Sequence, residues 1–130
     1  MKLIMHFDGS CNSNTKGRTG IGVVLRNQEL LKEISESTGT GTNNTAEYEA
    51  LIRGMEEART LGADELEAYG DSQLIIKQVR GEYRVKKQHL RELRDRVIKI
   101  STRFKKIEFH WIPREENEEA NALAQKAVFG

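Results

Sequence analysis

The sequence has one cysteine, one proline and no long apolar run among its 130 residues. Cys11 alone excludes an intrachain disulfide and leaves too few thiols for a cysteine-rich zinc site, which points to a reducing, cytoplasmic setting. The apolar runs fall far short of the roughly 20 residues needed to cross a bilayer, and the opening MKLIMHFDG holds no hydrophobic region of secretory length. Disorder and collagen-like structure are excluded as well, because 37% of the residues are hydrophobic and glycine numbers only eleven. The length suits one domain over residues 1–130 that buries a core without staples. The expectation is an intracellular monomer with no membrane partner.

Net charge is nearly absent too, with 21 basic against 20 acidic residues, but its distribution is uneven. Lys77 to Lys106 holds twelve Lys and Arg against three Asp and Glu, a local balance of +9 that leaves −8 for the rest. That segment is a candidate phosphate-binding face. A solvated helix face accounts for the same residues: Leu90, Leu93, Val97, Ile100 and Phe104 form a buried stripe, and Glu92–Arg96 and Asp95–Lys99 are ordinary i,i+4 pairs.

Apolar alternation at Leu3, Met5 and Phe7 predicts a central strand ending at an Asp8-Gly9 turn, followed by a polar loop, SCNSNTKGRT. GIGVVLR and ELLKEISES flank Asn27-Gln28 as the arms of an antiparallel hairpin. Asn43-Asn44-Thr45 caps a helix with the core stripe Tyr48, Leu51, Ile52, Met55 and Ala58, which Leu61-Gly62 ends. ELEAYG is a short strand that delivers Asp71 to its tip. A short helix over about 72–80 breaks at Gly81, and the basic helix runs over about 87–103. Ile107, Phe109 and Trp111 alternate as a last strand before a final helix that buries Ala120, Leu123, Ala124 and Ala127. Three strands followed by alternating strands and helices make an α/β fold, a mixed sheet with helices on both faces. In such sheets, sites form at the carboxyl ends of the strands where strand order reverses.

Asp8 and Asp71 close two different predicted strands, and Glu47 opens the first helix. If the first and fourth strands are neighbours, the three carboxylates meet. Converging carboxylates repel unless a divalent cation neutralises them, and hard oxygen donors favour Mg²⁺ or Mn²⁺ over Zn²⁺. Taken singly, each has a plainer reading: an Asp-Gly turn at Asp8, a capping box at Asn44-x-x-Glu47, and an N-cap at Asp71 or Ser72.

The stretches HFDGSCNSN, TNNTAEYEAL, YGDSQLIIKQV and IPREENEEANALAQKA, in that order over almost the whole chain, resemble the four signature blocks of type 1 ribonuclease H. The resemblance implies a mixed five-stranded sheet of order 3-2-1-4-5 and hydrolysis of the RNA strand of RNA/DNA hybrids. The short chain, lacking an extra basic protrusion, is similar to the compact archaeal and bacterial members. In that family two divalent ions clamp the attacking water and the leaving 3′ oxygen, which leaves a 5′-phosphate. Carried onto this sequence, Asp8 would hold both ions and Glu47 and Asp71 the one nearer the leaving group. The fourth acidic position falls at Asn121, whose amide brings no charge; of the neighbouring carboxylates, only Glu118 lies near enough in helical phase to help.

The resemblance further places Ser10, Cys11, Asn12, Asn43, Asn44 and Gln73 as substrate contacts, most of them at the minor groove and its 2′-hydroxyls. Thr42 would help to hold a DNA-strand phosphate, and Lys86 and Lys87 would be phosphate partners, Lys87 standing where many relatives have Asn. Cys11 also reads as a half-buried hydrophobe, and Asn43 and Asn44 as plain helix caps. Many members carry a His in the loop before the final helix, which here reads Ile112-Pro113-Arg114-Glu115-Glu116-Asn117. His110, on the preceding strand, reads as a sheet residue, and Arg114 or Glu115 would have to cover the missing role. Two alternatives stay open: a non-catalytic hybrid-binding module, and a nuclease that also takes double-stranded RNA.

Overall fold

Leu3, Met5 and Phe7 are fully buried, as their alternation requires of a central strand. The computed structural model describes residues 1–130 and forms one sheet of strands β1 (Lys2–Cys11), β2 (Gly17–Arg26), β3 (Leu30–Gly41), β4 (Glu65–Gly70) and β5 (Lys106–Trp111). Their order is β3-β2-β1-β4-β5. β1 pairs antiparallel with β2 and parallel with β4, so the strand direction switches at the β1–β4 seam. This is the expected mixed sheet, with the hairpin about Asn27-Gln28 in place.

Four helices complete it: α1 (Asn43–Thr60), α2 (Gln73–Val79), α3 (Gln88–Ser101) and α4 (Glu118–Phe129). The predicted α1 stripe, Tyr48, Leu51, Ile52, Met55 and Ala58, is buried against the face that carries Met5, Phe7 and Val23. Each such Leu, Ile or Met contributes about 1.5–3 kcal/mol by leaving water. Leu90, Val97 and Ile100 bring α3 onto the same core. The Tyr48 hydroxyl donates to Gln78 Oε1 at 2.6 Å and ties α2 to α1. α4 covers the opposite face of β1, β2 and β3. It lies close because Gly22 has no side chain: a Cβ there would meet Ala120 O at 2.1 Å. Farther along that face His6, Tyr69 and His110 stack across three strands at 5.3 and 5.1 Å.

Several boundaries differ from expectation. There is no turn at Asp8-Gly9: antiparallel pairing with β2 continues to Cys11↔Thr19, and the polar loop shrinks to residues 12–16. The α1 cap is Thr42, in a capping box with Thr45, rather than Asn43-Asn44; the predicted Asn44-x-x-Glu47 box does not form because Glu47 turns into the interior. Ser72, not Asp71, caps α2. On α4, Val128 is buried where Ala127 was expected, and Leu123 is half-buried. Trp111 is outward and exposed at the end of β5. The Glu92–Arg96 and Asp95–Lys99 pairs are not made; Arg94 turns to its neighbour Asp95 at 2.9 Å instead. No helix is long and apolar enough to cross a membrane.

Candidate metal centre and nucleic-acid interface

Asp8, Glu47 and Asp71 meet at the carboxyl end of the β1–β4 seam. One oxygen of each lies within 4.8 Å of the others. Asp8 points to the α4 face of β1, as alternation from the buried Phe7 dictates. Glu47 comes from the first turn of α1, which sits against β1 because Gly9 leaves room: a Cβ at Gly9 would lie 2.3 Å from Ala46 C and Glu47 N. The Gly9 amide donates to Asp8 Oδ1 at 3.0 Å and also to Glu47 Oε1, holding the two carboxylates together. Asp71 follows directly on the last residue of β4, and its carbonyl accepts from the Trp111 indole at 3.1 Å.

Asp8 and Glu47 are both 3% exposed, and Asp71 is half-buried. No Lys or Arg forms an ion pair with any of the three. Burial pushes the Glu47 carboxyl well above its usual range, and the neighbouring Asp8 and then Asp71 push it further. Burial also raises Asp71, opposed by a hydrogen bond from Asn117 and by the charge of Arg114. Buried, crowded, cation-free oxygen donors of this kind fit a hard divalent ion.

Asn121 is where the resemblance puts the fourth ligand: its Nδ2 donates to Asp8 Oδ2 at 2.7 Å. Glu118 does not help, being exposed at the head of α4, while Glu119 is drawn off to Arg26 at 2.8 Å. His110 is a sheet residue, paired with Glu108 at 2.9 Å. Sequence reasoning missed Asn117, which is buried and donates through Nδ2 to Phe7 O at 2.9 Å and Asp71 Oδ2 at 3.0 Å. The one available signal was its spacing of four from Asn121, which puts both amides on one face of α4.

The expected substrate residues divide. Thr42, Asn43, Asn44 and Lys87 line one open cleft of about 490 Å³, joined by Lys16 and His89. Lys86 is exposed just before α3 but does not line that cleft, nor does Gln73, exposed at the start of α2. Ser10 is buried, Cys11 donates its thiol to Gly41 O at 3.5 Å, and Asn12 closes its own loop by accepting from the Arg18 amide at 2.9 Å.

Residues 6–127 match the family described as reverse transcriptase-like. The bifunctional protein Rv2228c of Mycobacterium tuberculosis is 34% identical over 131 residues, covering 98% of this chain and 36% of that protein. Ribonuclease HI of Halobacterium salinarum is 38% identical over 125 residues, covering 95% of this chain and 62% of that protein. The chain thus spans about a third to three-fifths of the length of these relatives. The crystal structure of LC11-RNase H1 in complex with an RNA/DNA hybrid shares 37% identity and a TM-score of 0.90, with 97% of this chain and 96% of that one covered. The family match takes in every strand beyond the first few residues and each carboxylate of the centre, and with these relatives it makes the chain a member of the ribonuclease H family.

Proposed function

We propose that this chain is an endonuclease that hydrolyses the RNA strand of RNA/DNA hybrids, leaving 5′-phosphate and 3′-hydroxyl ends, with two Mg²⁺ or Mn²⁺ ions held by Asp8, Glu47, Asp71 and Asn121. The observation that carries this reading is the meeting of three carboxylates, two of them buried and none ion-paired, at the β1–β4 seam. The likeness to LC11-RNase H1, solved with an RNA/DNA hybrid, supports the choice of substrate. When bound, the cations supply Lewis-acid activation of water and offset charge on the leaving oxygen of an in-line displacement. Asp8 lies beside both other carboxylates and bonds Asn121, which suits it to hold both ions. Gly9 keeps Asp8 and Glu47 in register through its amide. The same reading takes the protein as a cytoplasmic monomer.

Substrate would lie across the seam and along the cleft between Thr42 and Lys87, where Lys16 and Lys87 offer charge to a DNA-strand phosphate. Cys11, Asn12, Asn43, Asn44 and Gln73 would face the minor groove and its 2′-hydroxyls. The +9 segment makes hybrid affinity fall with salt in proportion to the phosphates neutralised. Replacing Lys86 and Lys87 by Glu is expected to reduce the slope of log K against log salt by about 2, measured by fluorescence anisotropy in Ca²⁺. An unchanged slope would make the basic helix a solvated face only.

The deciding experiment is cleavage of an end-labelled hybrid in Mg²⁺ and in Mn²⁺, beside duplex RNA and duplex DNA. Hybrid-only cutting supports the proposal, and equal cutting of duplex RNA broadens the substrate. One observation favours a second reading, a hybrid-binding module without catalysis: Asn121 offers Asp8 a hydrogen bond where a fourth charge would stand. Tight hybrid binding with no cleavage in either metal would establish it.

A further inference from the structure

Asn117 is buried as deeply as Asp8 and Glu47, at 2% exposure, and more deeply than the Asp71 it bonds. Its Oδ1 is a buried polar atom with no hydrogen-bond partner, so the amide is not there for stability alone. It stands at the N-cap of α4, a position where Asn ordinarily bonds the helix's own free amides, yet its side chain makes no capping bond. Both hydrogens of Nδ2 go elsewhere, one to Phe7 O and one to Asp71 Oδ2.

These two acceptors sit on either side of a fork. The parallel ladder between β1 and β4 ends at His6↔Tyr69, and beyond it the strands part, β1 running on to Cys11 while the chain after Gly70 turns towards α2. Phe7 O is the first carbonyl past the last rung. Asn117 therefore bridges the opening and fixes the distance between the strand that carries Asp8 and the turn that carries Asp71. By donating to Asp71 Oδ2, it also fixes the orientation of the Asp71 carboxylate. Four residues along the same face, Asn121 grips Asp8, so the head of α4 is fastened to both aspartates.

We propose that Asn117 is a positioning residue of the cation centre: its bridge from the Phe7 carbonyl to Asp71 sets the spacing and orientation of the ligand carboxylates. This rests on the cation-binding reading of the centre given above. Such outer partners of metal ligands are worth about 10- to 100-fold in metal affinity or activity.

The test measures Mn²⁺ binding by titration calorimetry on the free protein, alongside melting temperature and hybrid cleavage. Asn117→Ala is compared with the parent and with Val128→Ala, which opens a space on the same helix away from the centre. Asn117→Leu, which keeps the branch at Cγ and leaves no cavity, guards against a failure to fold. Asn117→Ala and Asn117→Leu are expected to weaken Mn²⁺ by about 10-fold or more, and to lower kcat at fixed Mn²⁺ with KM for hybrid within about a factor of two. Val128→Ala is expected to lose melting temperature but bind Mn²⁺ like the parent. Parental Mn²⁺ affinity in both Asn117 variants would overturn the proposal and leave Asn117 a structural amide. A parent that binds no Mn²⁺ would instead overturn the cation reading itself, and the positioning role with it.

Discussion

Asp8→Asn is expected to end hybrid cleavage while making the cation-free protein more stable. The loss should be about 10³-fold or greater, because a bound cation supplies several kcal/mol of charge stabilisation and each 1.36 kcal/mol is tenfold in rate. The stability gain follows from Glu47, whose carboxyl is raised first by burial and next by Asp8. A carboxyl raised in the folded state stabilises the fold fully below its unfolded pKa, about 4.3, and loses that contribution as pH climbs through the higher folded value. At neutral pH the crowding therefore costs stability, and removing the Asp8 charge lifts part of that cost. The new amide can also donate to Glu47 where two carboxylates otherwise compete for one proton. Against this stands the charge-assisted bond from Asn121, which is weakened. The net gain should be about 1 kcal/mol, or roughly 3 °C in melting temperature with a chelator present. It should shrink as pH falls through the raised range of Glu47, because a protonated Glu47 no longer repels the charge at position 8. Cleavage at near the parent rate would remove Asp8 from the chemistry, and an unchanged melting temperature at neutral pH would deny the crowding.

Asn121→Asp should move the same two quantities the opposite way. Asp8, Glu47 and Asp71 offer three negative charges, one short of two divalent cations, and Asn121 contributes none. Without cation, its amide is turned to donate to Asp8, so its carbonyl can serve a metal only after that bond breaks and the side chain rotates. A carboxylate needs no such rearrangement. The exchange is expected to raise cleavage about 10- to 100-fold at limiting Mg²⁺, less in Mn²⁺, which accepts mixed ligands more readily, with hybrid affinity in Ca²⁺ little changed. In chelator the variant should lose about 1–3 kcal/mol, since a donor beside a buried carboxylate becomes a second charge. If activity stayed at zero in every metal, the hybrid-binding module would replace the nuclease.

Glu47 and Asp71 were legible in the sequence because each is tied to a local signal, a helix start or a strand end; Asp8 was found through an expected turn that is absent, since β1 runs on to Cys11, and strand order still brings it to the other two. The helix stripes were legible for the same reason: Leu51, Ile52 and Met55 carry their burial in their spacing. What was missed depends on a neighbour that local pattern does not name. Asp8-Gly9 has the composition of a turn, but Gly9 is a strand residue whose missing side chain admits α1. Thr42 outcompetes Asn43 and Asn44 as a cap because Thr45 can return its bond, and Glu47 is wanted in the interior. Asn117 is only the last residue of a loop in the sequence, and the fork between β1 and β4 shows what its amide reaches.

The Gly9 amide has a consequence for how the molecule opens and closes. It is held from above by Asp8 of its own strand and by Glu47 of α1, in a strand enclosed by β2 on one side and α1 on another. Its acceptors are separated from it by one residue and by 38. Its release requires the Glu47 side chain of α1 to come away from β1 while the Asp8 side chain turns. Exchange of that single proton with solvent deuterium therefore reports openings of the centre itself. A cation that binds only the closed centre would slow it by the factor 1 + [L]/Kd, so one backbone resonance would read metal occupancy.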